Sequence, residues 1–208
     1  HPYFVPWTDP VTGVVSYLLA RRVAPVQQSF YFVNPSVSPD EKWLWFYTAF
    51  PPNRGKCLAV VSLDPENPSI QRYAQAGFSG ASPMVTPESD GVFFAMRNHI
   101  YRMGLDGQVA IACTLSEDYI DHRNYRRLAT HLTMSADGRY LLLDGDMGDF
   151  WWVGIGDLET GEVTVYTFVQ NVKGLLPLIL AELLAERKKV KAEMAVEVSD
   201  PAVHTLLK

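Results

Sequence analysis

Asn34-Pro35-Ser36-Val37-Ser38-Pro39-Asp40-Glu41-Lys42-Trp43-Leu44-Trp45-Phe46 reads as a short strand, a polar turn and a strand of bulky side chains. The same grammar returns at Ser82-Pro83-Met84-Val85-Thr86-Pro87-Glu88-Ser89-Asp90-Gly91-Val92-Phe93-Phe94. It returns again at His131-Leu132-Thr133-Met134-Ser135-Ala136-Asp137-Gly138-Arg139-Tyr140-Leu141-Leu142-Leu143. Pro39, Pro87 and Ala136 hold one place in the turn, so the unit recurs after 48 and then 49 residues. A near-constant period of this size marks an array of equivalent supersecondary units. A second hairpin follows each copy: residues 58–64, 100–106 and 151–157 end in Asp64, Asp106 and Asp157. A carboxylate there accepts bonds from the local backbone and opens a turn. Further strands are expected at 69–73, 108–113 and 162–166. Four strands per unit predict β-propeller blades rather than the hairpin pairs of a β-sandwich.

Near the start, Asp9-Pro10-Val11-Thr12-Gly13-Val14 echoes Asp157-Leu158-Glu159-Thr160-Gly161-Glu162 and leads into the apolar run 14–19. This is the expected outer hairpin of a blade whose first half lies elsewhere. The fold class is therefore all-β: a partial β-propeller over 1–166, with about three four-stranded blades and part of a fourth, then a helical segment over 167–208. Closed propellers use about four to eight blades. An open row exposes apolar blade faces, which either the tail helix, through Leu176, Leu180, Leu183 and Val190, or self-association would cover.

Composition limits the function classes. With 48% hydrophobic and 20% charged residues in 208, intrinsic disorder is excluded. A net charge of −5 argues against broad binding to nucleic acid or an anionic membrane. No apolar run reaches the length of a membrane-spanning helix. The opening His1-Pro2-Tyr3-Phe4 has no Met and no signal-peptide pattern, so the chain reads as a cut or processed piece, with the cytoplasm as its expected location. Two cysteines, Cys57 and Cys113, are too few for a disulfide scaffold and are expected as small buried thiols in strands.

The turn 38–44, the Asp-Leu-Glu-Thr-Gly-Glu turn, the opening Thr8-Asp9-Pro10-Val11-Thr12-Gly13, and the stretches 28–35 and 129–133 resemble the propellers of oligogalacturonate lyases over about residues 7–166. The resemblance implies a seven-bladed propeller that cleaves short pectin fragments by β-elimination, with manganese held by His and Gln side chains. In that family the ligands come from later blades. This chain has no His-x-His pair, and His1, His99, His122, His131 and His204 form no cluster in sequence. No catalytic or metal residue of the family is carried over; manganese is implied by the resemblance without its ligands. Oligogalacturonate or another acidic oligosaccharide is the expected partner.

After Tyr166 the character changes. Segment 171–208 has six basic and five acidic residues, whereas 1–170 has 12 basic and 18 acidic. Leu176, Leu180, Leu183, Val190 and Met194 recur at helical spacing, with Pro177 at a tolerated first-turn position. The run 172–191 resembles the fingers helix of family B DNA polymerases of the delta type. That resemblance implies triphosphate contacts from Arg187 and Lys191, four residues apart on one helix face. The paired carboxylates that polymerase chemistry needs are not supplied. Propeller-like to Tyr166 and polymerase-like afterwards, the sequence suggests a chimera: a fusion, a design or a misassembled reading frame.

Two further clusters carry chemistry. Residues 118–127 combine three Arg, one His and two Tyr in a linker between blades, and Arg with aromatic side chains suits anionic sugars. His122, Arg123, Arg126 and the nearby His131 are the candidate substrate contacts. Asp144-Gly145-Asp146-Met147-Gly148-Asp149 lacks the Gly and Glu positions of a calcium loop and is expected as the turn between a blade's second and third strands. Trp43, Trp45, Trp151 and Trp152 are expected between blades, the adjacent pair on opposite sides of one strand. Three functions compete: a lyase-like propeller without its catalytic blades, a non-catalytic binding or assembly module, and nucleotide binding by the tail helix.

Overall fold

The computed structural model describes residues 1–78, 82–120, 127–128, 131–147, 151–166 and 175–197. Its strands are β1 (Phe4–Thr8), β2 (Val15–Leu19), β3 (Val26–Ser29), β4 (Trp43–Ala49), β5 (Lys56–Ser62), β6 (Ile70–Phe78), β7 (Met84–Val85) and β8 (Gly91–Met96). They continue as β9 (His99–Gly104), β10 (Val109–Thr114), β11 (Arg127–Leu128), β12 (Thr133–Met134), β13 (Tyr140–Asp146), β14 (Trp151–Asp157) and β15 (Val163–Tyr166), and the helix α1 is Leu175–Glu197. Four antiparallel sheets result: β1-β2, β3-β4-β5-β6, β7-β8-β9-β10, and a third blade in which β11 and β12 both pair with β13, followed by β14 and β15. This is an all-β partial propeller of three blades and an outer hairpin, with a C-terminal helix. Residues His1–Thr167 form one compact unit and Phe168–Lys208 a second. No helix among the described residues is long and apolar enough to cross a membrane.

The repeated turns are built by their own side chains. Ser38 Oγ donates to Asp40 Oδ1 at 2.6 Å and accepts from the Trp43 N–H. Ser135 does the same with Asp137 and Tyr140. In the middle blade Thr86 takes the serine's part, with Asp90 as its acceptor and the Gly91 N–H as its donor. The outer hairpins turn on the expected aspartates: Asp9, Asp64, Asp106 and Asp157 each accept a backbone N–H two residues on.

Alternation along each strand gives every blade two apolar faces. Trp45, Leu58, Val60 and Tyr73 of the first blade pack against Val92, Phe94 and Met103 of the second. The second blade's other face, Phe93, Ala95, Ile100 and Cys113, meets Leu141, Leu143 and Trp152 of the third. At the opposite end, Phe46, Ala59 and Val61 of the first blade are covered by Tyr3, Phe4, Leu19 and Val23. Polar bonds tie blade to blade: the Asp40 N–H donates to Ser89 Oγ, the Tyr73 hydroxyl to the Leu105 carbonyl, and the Thr114 N–H to the Gly161 carbonyl.

Three expectations are corrected. The first strand of the first blade is expected at the start of the 34–46 stretch, but β3 lies earlier and within that stretch only Val37 bridges to Leu44 ahead of the turn. Pro35 has no N–H to give a ladder, and Asn34 is drawn away to the next blade. Second, the 144–149 segment is not all turn, because β13 runs through Asp146 and pairs it with Trp151. Third, only one of the adjacent indoles lies between blades. Trp152 is buried across from Gly145, where a Cβ would fall inside its indole ring, whereas Trp151 is exposed on the third blade's open face. Cys57 and Cys113 are free, buried and in strands. Burial, with the nearby Asp157 charge second, pushes the Cys113 thiol up to about 11.

Candidate functional site at the inner connections

The break after β3 makes a loop whose two ends are held firmly. The Phe30 N–H donates to Ser36 Oγ at 2.8 Å, and the Phe30 ring is buried in the core between the first two blades. At the other end the Asn34 side-chain amide donates to the Ser82 and Pro83 carbonyls at 3.3 and 2.8 Å, tying this loop to the second blade's entry. Between these anchors the chain turns, with the Asn34 N–H on the Tyr31 carbonyl, and presents Tyr31 and Phe32 outward. Phe32 is 82% exposed. Its ring centroid lies 4.4 Å from that of Tyr31.

The third blade completes the cluster. His131 precedes Leu132, which is buried in the core between the second and third blades and so fixes the imidazole's root. The His131 ring lies 5.7 Å from Tyr31, and its backbone N–H donates to Asp144 Oδ1 at 3.5 Å. Beside it runs a groove of about 370 Å³ along the open face of the third blade, lined by His131, Leu142, Asp144, Val153, Ile155 and Tyr166. Inner connections of all three blades thus meet in one place: Tyr31 and Phe32 from the first, Ser82 and Pro83 from the second, His131 from the third. Aromatic faces with an imidazole and one carboxylate suit a flat-faced, polar-edged ligand such as a sugar ring.

Of the residues singled out in the sequence, His131 lies in this cluster. His122, Arg123 and Arg126 fall outside the described residues. Arg187 and Lys191 are exposed on α1, one turn apart. Tyr31 and Phe32 were not weighed as site residues; the signal for them was a pair of adjacent aromatics ahead of an Asn-Pro turn. No three His, Cys, Asp or Glu side chains come together to hold a metal among the described residues. Those residues do not fit the manganese that the lyase resemblance implies, and no step is assigned to it.

No protein-family model matches the chain, and no curated protein does. Solved structures do. An oligogalacturonate lyase in complex with manganese is similar at 16% identity and a TM-score of 0.57, over 78% of this chain and 46% of its own. The oligogalacturonate lyase of Vibrio parahaemolyticus is similar to the same extent, with the same coverage of both chains. Hydrazine synthase of Kuenenia stuttgartiensis is similar at 16% identity and a TM-score of 0.52, over 80% of this chain and 43% of its own. The chain spans less than half the length of these structures. Likeness at this identity shows the fold, a β-propeller.

Proposed function

We propose that this chain binds acidic oligosaccharides of the oligogalacturonate class at the cluster of Tyr31, Phe32 and His131. One observation carries the reading: two exposed aromatic rings on a doubly anchored loop, one of which, Tyr31, lies beside an imidazole from another blade. Rings held in place before the ligand arrives lose little freedom on binding. The lyase-like fold supports the choice of a uronate sugar. Stacking would engage the sugar's apolar face, and Arg123 and Arg126, with His122 in the segment leading to His131, would engage its carboxylates by charge-assisted bonds. The reading is one of binding without elimination. Removing the proton beside the carboxylate needs a base and a group that stabilises the resulting charge, and among the described residues no three His, Cys, Asp or Glu side chains come together to hold a metal for the second part.

Calorimetric titration with trigalacturonate, against a neutral trisaccharide, tests this. Phe32→Ala or Tyr31→Ala should weaken binding by about 1 kcal/mol, roughly fivefold in Kd. The double substitution Arg123→Ala, Arg126→Ala should remove the preference for the acidic sugar. Equal heats for both sugars, or binding indifferent to Tyr31 and Phe32, would sink the proposal.

A further inference from the structure

In α1 every side chain from 178 to 192 is exposed, large apolar ones included: Leu180, Leu183, Leu184 and Val190 are each about half uncovered or more. Their order is informative. Leu180, Leu183, Arg187 and Val190 follow at intervals of three, four and three, and the sequence continues the alternation to Leu176 before and Met194 after. Alternating threes and fours average 3.5, the repeat that two supercoiling helices present to each other.

The flanking residues identify the partner. With Leu180 and Arg187 at a, and Leu183 and Val190 at d, Ile179 and Glu186 fall at g, and Leu184 and Lys191 at e. In a parallel pair each g residue meets the partner's e residue five positions on. Ile179 then meets Leu184, and Glu186 meets Lys191: apolar on apolar, acid on base. Antiparallel pairing sets g against g and gives Glu186 no cation. We propose that α1 is a parallel coiled-coil element that joins this chain to a second copy of itself. Arg187 takes the single polar a position, which sets register at a cost in strength, its stem packed and its guanidinium reaching the partner's Glu186.

Sedimentation equilibrium of the full chain tests this. A dimer is expected that weakens with added salt. Glu186→Lys and Lys191→Glu should each weaken it several-fold, and the double reversal should recover what was lost between positions 186 and 191 but not the Arg187 contact, leaving a dimer tighter than Glu186→Lys alone and weaker than the parent chain. Arg187→Leu should tighten it. A monomer at all concentrations would overturn the proposal. So would a dimer indifferent to both reversals, because association then lies elsewhere, and so would capture of the chain by anionic vesicles that Glu186→Lys strengthens.

Discussion

Glu41, Ser89 and Gly138 occupy one place in the repeated turn, and all three have left-handed backbone, with φ of 60°, 64° and 72°. Glycine adopts that conformation freely, whereas a side chain there costs about 1–2 kcal/mol. Ser89 has compensation, since its hydroxyl accepts the Asp40 N–H of the neighbouring blade. Glu41 is exposed. Glu41→Gly should therefore raise stability in urea denaturation by about 0.5–1 kcal/mol, after the added freedom of the unfolded glycine is subtracted; Ser89→Gly should not. The same turns make the protein acid-sensitive. The Ser38 hydroxyl holds the Asp40 carboxyl below the ordinary aspartate value of 3.8, as Ser135 does Asp137, and the Arg139 guanidinium does so for Asp157. A carboxyl depressed in the folded state contributes stability above its unfolded value and loses it as pH falls through the folded one. The urea midpoint should stay flat near neutrality and fall as pH drops below the ordinary aspartate range. Asp40→Asn with Asp137→Asn should lower the midpoint near neutrality and flatten that fall. A fall unchanged by the pair would place the acid-sensitive groups elsewhere.

At the scale of strands and loops, legibility followed locality. The turns could be read because serine, aspartate and proline settle their conformation within five residues of sequence. The outer strands could be read because bulky side chains alternate along them, and β10 and β15 lie within a residue of expectation. Inner strands were legible only in part: β7 and β12 stand just ahead of their turns as expected, whereas β3 and β11 lie outside the repeated stretches, and their pairing depends on the strand they dock against rather than on their own letters. The candidate site was legible only in part for the same reason. His131 stood out as a functional residue type, but its meeting with Tyr31, 100 positions away in sequence, is a product of blade packing. The outer hairpin shows a further local device. The Asp9–Val14 backbone bond sets the alternation in β1, which turns Phe4, Pro6 and Thr8 towards the unpaired edge. Among the described residues that edge has no partner strand, and Pro6 has no N–H to offer there.

Across the whole propeller unit, position in the row decides what one repeat position contributes. Trp45, Phe93 and Leu142 are equivalents on the second strand of successive blades, and they are 0%, 4% and 46% exposed. The first two face the following blade, and the third faces no described blade. In a repeat array stability is close to a sum of unit and interface contributions, so the same chemistry has different value at the end and in the middle. Phe93→Ala leaves a cavity between the second and third blades and should cost about 3–5 kcal/mol, as should Trp45→Ala between the first and second. Leu142→Ala removes a half-exposed side chain and should cost under about 1 kcal/mol. Urea denaturation of the three variants under conditions that keep the protein monomeric measures this directly. Should Leu142→Ala prove as costly as Phe93→Ala, the third blade's outer face is covered in solution, and the row of blades continues beyond it through another surface.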